Sequence, residues 1–191
     1  MKLKFLGIAA CALALCFALV GCNSQKVTDF TWYQAAVPDK YELNTSLGSN
    51  AAKVSFAKTD EGKELRVNWN GVKDAQGITQ AFMEWEGTGS EQLDDMKIGN
   101  YTWKVAQNTE ASKPKIQFCT DLPDGRVGIV DARGFSDIND KDLQSFVKSV
   151  KFADDVSEAY DKAKEVSSDD LKITNTLGRS RNRVPPVFET D

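Results

Sequence analysis

The 191-residue chain contains no histidine. That absence removes Ser-His-Asp and Cys-His catalysis and the commonest zinc ligand. Cysteine is nearly as scarce: of Cys11, Cys16, Cys22 and Cys119, three fall within the first 22 residues. Cys119 therefore stands alone in the rest of the chain, where neither a thiolate metal cluster nor a disulfide can form. It sits in "KIQFCTDL" with no histidine base to activate it, so a buried structural thiol is expected. No G-x-x-x-x-G-K-[ST] and no G-x-S-x-G is present. Positive charge is also in deficit, with 24 Lys and Arg against 28 Asp and Glu, a net charge of −4. An acidic chain argues against a nucleic-acid partner. These absences point to a protein that is not an enzyme, with no cofactor and no metal site.

The acidic residues themselves do not restore a site. "DINDKD", Asp137 to Asp142, invites a calcium reading, but the fifth position of the loop is Lys141, the sixth is not Gly and the twelfth is Lys148. Helix capping accounts for it better. The pairs Asp94-Asp95, Asp154-Asp155 and Asp169-Asp170 lie at predicted element boundaries. Adjacent side chains point apart, so turns and caps are expected there rather than paired acid–base carboxylates.

What the chain does have begins at its start. Lys2 and Lys4 precede an uncharged run from Phe5 to Val20, and Gly21 precedes Cys22. This is the anatomy of a secretory signal. At 18 uncharged residues through Cys22, the run is also at the lower edge of what spans a bilayer, so its length does not decide. The end of the run, Leu19-Val20-Gly21-Cys22, resembles the lipobox of bacterial lipoproteins. The resemblance implies cleavage between Gly21 and Cys22, with lipid on the Cys22 sulfur and acylation of the new amine. Two or more acyl chains hold a protein firmly where one is marginal, at roughly 0.8 kcal/mol per buried CH₂. The expected address is the bacterial cell envelope. Asn23 stands where Asp commonly signals inner-membrane retention, which leans toward the outer membrane in a Gram-negative host. In a Gram-positive host the outer face of the cell membrane is expected.

Removing residues 1–21 from the 191 leaves 170, enough for one domain with a sizeable core, and takes two lysines, so −4 becomes −6. Residues 22–26 form a short tether and place the domain close to the membrane. Residues 27–153 read as the domain, 154–168 as a C-terminal helix and 169–191 as a tail. That tail carries Arg179, Arg181 and Arg183 before Pro185-Pro186, and a frayed end is favoured over a basic docking peptide.

Alternation marks strands in "KVSFAK", "ELRVNWN", "YTWKVAQ" and "KIQFCT", and "RVGIVDA" (126–132), more continuously apolar than these, reads as a candidate central strand. "FTWYQAAVP" and "YELNTS" are weaker candidates. "TDEG" (59–62) and "DLPDG" (121–125) read as hairpin turns, which makes the flanking strands antiparallel. Helical spacing appears three times. Ile78, Ala81, Phe82 and Trp85 form one stripe, and Leu143, Phe146, Val147 and Val150 a second, with Asn139 or Asp140 as cap. A third runs through Val156, Ala159, Tyr160, Ala163 and Val166, opened by Asp155 and Glu158 as a capping box. Trp32, Trp69, Trp85 and Trp103 each lie on or beside an apolar face, so core packing is expected. An indole on an open face would instead be a binding platform.

Residues 30–153 resemble the PsbP-like fold in the order of their features. An aromatic-rich entry strand runs into "VPDKYEL", and a helix follows the early hairpins. "MKIGNYTWKV" is similar to the family's strand-turn-strand, and "RVGIVDARGFSDINDKDLQSFVKSVKF" to its closing strand, acidic loop, helix and final strand. The resemblance implies an α+β sandwich, an antiparallel sheet of about five to seven strands packed with two to three helices. It carries no catalytic residues. Members of this fold mostly act as binding or assembly factors, an analogy at the level of fold. The function expected is a lipid-anchored, non-catalytic factor for an envelope protein partner. The alternatives are a small-ligand-binding lipoprotein with an aromatic-lined groove, its ligand-binding residues unknown, and an enzyme with an unrecognised carboxylate site. Intact-mass measurement of membrane-extracted protein should give a chain starting at Cys22 with two or three acyl chains. In Cys22→Ala that lipid mass should vanish; an uncleaved chain without lipid would overturn the anchor.

Overall fold

A computed structural model describes residues 26–44, 55–58, 62–163, 172–175 and 180–181. Residues 1–21, Cys22, Val54, Asp169-Asp170, Arg179 and Arg183 lie outside the described residues, as do positions 59–61 of the first hairpin turn. In chain order the strands are β1 Lys26–Asp29, β2 Tyr33–Ala36, β3 Glu42–Asn44, β4 Ser55–Lys58 and β5 Lys63–Asn70. Then come β6 Ser90–Gln92, β7 Met96–Ile98, β8 Tyr101–Asn108, β9 Lys115–Asp121 and β10 Val127–Arg133. The last three are β11 Lys151–Phe152, β12 Lys172–Asn175 and β13 Ser180–Arg181. Helix α1 is Ala75–Glu86, α2 is Lys141–Ser149 and α3 is Val156–Ala163.

The larger sheet has the order β3-β4-β5-β10-β9-β8-β6, with β7 also paired to β8. The smaller has the order β11-β2-β1-β12-β13. Every described strand pair is antiparallel. The α+β class read from the sequence holds. The path of the larger sheet runs through seven strands; the smaller sheet adds strands of two to four residues, too short to show alternation.

Both hairpin readings correspond to paired strands. Lys58 faces Lys63 across β4 and β5, and Asp121 faces Val127 across β9 and β10. In the second turn the Gly125 N–H donates to Leu122 O at 3.0 Å, and Gly125 takes φ +80°, a conformation costly to residues with a Cβ. Residues 172–175, read as part of a frayed tail, instead form β12, paired with β1 from Lys26↔Asn175 to Asp29↔Lys172. The β-branched Ile173 and Thr174 favour that pairing, and their four-residue run was too short to stand out in a polar segment.

Alternation divides the larger sheet into two faces. Val67, Val130, Phe118 and Val105 are successive cross-strand partners on one face. They join the main core with Trp103, Ile116, the α2 residues Leu143, Phe146 and Val147, and Phe30, Trp32 and Tyr33 of the smaller-sheet region. Gly128 is required in that core: a Cβ there would collide with the Phe152 ring. Burial raises the Tyr33 phenol well above its ordinary pKa, and among the described residues its hydroxyl and the Trp32 indole N–H lack a hydrogen-bond partner. Each such group costs about 1–3 kcal/mol, so the aromatic packing around them must outweigh that cost.

The stripe Leu143, Phe146, Val147 and Val150 is buried as its spacing predicts. Asp140 is the α2 cap, accepting from the N–H groups of Asp142 at 2.9 Å and Leu143 at 3.2 Å, and it pairs with Lys63 Nζ at 2.7 Å. In α3, Asp155 caps the Glu158 N–H at 2.9 Å. The Glu158 carboxylate does not return to complete the capping box; it pairs with Lys162 at 2.6 Å, one turn on. Beyond Ala163, the expected continuation to 168 lies outside the described residues.

Partial burial of Asp140 opposes ionisation, but the hydrogen bond from Lys63, the two backbone N–H donors and the Lys63 charge outweigh it, so its pKa is lowered. A depressed carboxylate pKa adds stability above the unfolded-state pKa and loses it as pH falls through the folded one. Asp140→Asn should therefore be less stable than the native chain at pH 7. Urea unfolding should show the gap closing as pH falls below the ordinary aspartate value of 3.8.

Candidate interaction surface on helix α1

Helix α1 covers the second face of the larger sheet. Asp74 caps it by accepting from the Gly77 N–H at 2.7 Å, and Asp121 of β9 accepts from the Ala75 N–H at 2.8 Å. At the other end Gly87, at φ +69°, donates its N–H to Met83 O at 2.9 Å. Glu86 pairs with Lys115 of β9 at 2.6 Å. Gln76 and Gln92 of β6 exchange amide hydrogen bonds at 3.0 and 3.2 Å. Both termini and one flank are thus tied to the sheet.

The buried line of α1 is Ala75 and Thr79, seated on Cys119, Val127 and Ile129 with Ile78 alongside. Thr79 returns its hydroxyl to Ala75 O at 2.8 Å, which lets a polar side chain sit in an apolar seat. Cys119 is wholly buried there, and burial pushes its thiol up to about 12. The structural reading of this cysteine agrees with that environment.

The stripe Ile78, Ala81, Phe82 and Trp85 does not face the core as a unit. Ile78, Ala81 and Phe82 are half-buried, and Trp85 is 86 % exposed. The expected core packing of Trp85 is therefore corrected. The inward position at the end of the helix belongs to Glu86, drawn in by Lys115, and one residue's rotation of about 100° turns Trp85 outward. The other indoles follow the expectation: Trp32 and Trp103 are fully buried, and Trp69 is partly buried beneath Tyr160 and Arg126.

Val72, which the sequence reading did not single out, is 89 % exposed just before α1. Asn70 Oδ1 accepts from the N–H groups of Val72 at 2.7 Å and Lys73 at 3.2 Å, so the turn is held in place. Val72 and Trp85 are the large hydrophobic side chains exposed among the described residues. A signal for Trp85 was available: Glu84 and Glu86 flank it, an unusual setting for a core position.

Beside α1, the face of β5, β10 and β9 is polar. Asn68 and Gln117 each donate to a different oxygen of Asp131, at 3.0 and 2.9 Å, and Arg66 pairs with Glu64. Two clefts open elsewhere. One, of about 400 Å³, includes Asp95, Lys97, Lys104 and Asp121; in it Lys104 pairs with Asp95 at 3.0 Å. The other, of about 290 Å³, includes Asp29, Thr31, Lys151 and Asp154. Of the acidic residues singled out, Asp140 and Asp155 are helix caps, and Asp137 Oδ1 accepts from the Asn139 N–H at 2.8 Å. Among the described residues no group of three or more His, Cys, Asp or Glu side chains is placed to hold a metal ion, and no helix is long and apolar enough to cross a membrane.

No family model matches the chain, and no curated protein matches it. A solved structure from Bacteroides thetaiotaomicron is similar at a TM-score of 0.43 and 10 % identity, over 68 % of this chain and 48 % of that one. The chain thus spans about half the length of that neighbour.

Iodide should quench a distinct component of the tryptophan fluorescence, and Trp85→Phe should remove most of it. Quenching left unchanged by the substitution would mean that Trp85 is covered in solution.

Proposed function

We propose that this chain is a lipid-anchored protein of the bacterial envelope, non-catalytic, that binds a protein partner through the outer face of α1. The observation that carries the reading is the exposure of Trp85 on a helix whose ends are tied down and of Val72 on the turn just before it. Leaving a Trp and a Val in water forgoes apolar burial worth about 25 cal/mol per Å². Exposed tryptophan on a rigid scaffold is typical of interface anchors. The anchor part of the proposal rests on Leu19-Val20-Gly21-Cys22, and the assembly-factor part agrees with the PsbP-like resemblance. The small-ligand alternative draws less support, since both clefts are lined mainly by polar and charged side chains and three of the four indoles are turned inward.

A photocrosslinking amino acid at position 85 or 72 of the full chain, irradiated in growing cells, should yield a discrete protein adduct. The same probe at Ser136, an exposed position on the loop before α2, should yield none. Absence of any adduct from 85 and 72, with the protein folded and at the membrane, would overturn the reading.

A further inference from the structure

We propose, resting on the reading above, that the partner of this face is a second copy of the same chain, docked antiparallel, α1 against α1. The first ground is shape. Gly77, Ala81 and Trp85 are spaced by four and so form one ridge along the outer side of the helix. The small residues Gly77 and Ala81 keep the ridge low, with the Lys73 stem and the Asp74 carboxylate lying against Gly77; Trp85 rises at one end, and Val72 precedes the first turn at the other. Two parallel copies would set Trp85 against Trp85 and hold the ridges apart. A two-fold antiparallel arrangement sets Trp85 of each copy over Val72 of the other and brings the ridges together. Such an isologous contact closes on itself and leaves neither hydrophobic end exposed.

The second ground is charge. Lys73 adjoins Val72 and Glu84 adjoins Trp85; both are exposed, and no ion pair engages either among the described residues. The antiparallel arrangement brings Lys73 of each copy to Glu84 of the other. The parallel arrangement would instead oppose Glu84 to Glu84 and Lys73 to Lys73. Because Asn70, Asp121 and Lys115 already hold the helix and its entry turn, little ordering is needed on docking.

The contact is small. A 12-residue helix is about 18 Å long, and its outer face alone falls short of a standard interface. Association should therefore be weak for a diluted chain and strong for copies confined to one leaflet, where effective concentration is high.

The test uses the full chain in membranes, with Gln80→Cys as the reporter. Gln80 is exposed on the helical turn midway between Val72 and Trp85, while Cys119 is buried. Mild oxidation should give a disulfide-linked homodimer. Val72→Cys and Trp85→Cys should link strongly only when the two variants are produced together. Glu84→Lys in the Gln80→Cys background should cut the dimer yield roughly threefold to tenfold, within the range of exposed ion pairs counted twice. Adding Lys73→Glu should restore it; thermal unfolding of each variant checks that the fold is unchanged. If the thiols at 80, 72 and 85 capture a different protein and no homodimer, self-association is overturned and the partner-binding reading stands. If they capture nothing, both are overturned. A strong Trp85→Cys homodimer from that variant alone would overturn the antiparallel arrangement.

Discussion

The alternation of side chains across β5, β10, β9 and β8 is the constraint on which the rest of this structure depends. Because the strand period is two, the register that pairs Val67, Val130, Phe118 and Val105 on one face also fixes what lies on the other. A slip of one residue would put Asn68, Asp131 and Gln117 into the aromatic core and send Val67, Val130 and Phe118 to the opposite side. The first face supplies the main core with α2, and the core aromatics Trp32, Tyr33, Trp103 and Phe152 then crowd it tightly enough that Gly128 must lack a side chain. Two buried polar groups without partners among the described residues, on Trp32 and Tyr33, are tolerated within that packing.

The second face has a different consequence. Its buried apolar residues are few, Cys119, Val127 and Ile129 with Ala106 on β8, and they seat the small side of α1 at Ala75 and Thr79. A helix seated on a narrow strip keeps much of its surface in water. The hydrophobic residues that the strip cannot accept, Trp85 above all, are left for something outside the domain. The proposed self-association answers that surplus with the same helix in a second copy, and the charges beside Val72 and Trp85 have the signs it needs.

The acidic residues serve the fold. Asp74, Asp140 and Asp155 cap the three helices, Asp121 fixes the start of α1 to β9, and Asp124 accepts from the Val156 N–H to hold α3. Their roles were legible in part, because a carboxylate just ahead of an amphipathic run is a capping signal. The reciprocal half of the α3 box failed because Lys162 offers Glu158 a full charge four residues away, where the box offers one backbone N–H.

By itself the sequence determined the antiparallel α+β class, the paired strands around both hairpin turns, the buried stripe of α2 and the burial of a lone cysteine. Each depends on periodicity or on absence, and both are local properties. It also carries Leu19-Val20-Gly21-Cys22, and the proposed anchor rests on the resemblance of that run to a lipobox. Only the tertiary structure decided that 172–175 joins β1 as a strand, that Trp85 faces water while Trp32 and Trp103 do not, and that Val72 stands beside the same helix. The physical reason is that periodicity says which residues share a side of an element, while the width of the opposing surface says how many of them it can cover. On α2 that surface is broad and the whole stripe is buried; on α1 it is narrow, and Lys115 draws Glu86 inward and turns Trp85 out.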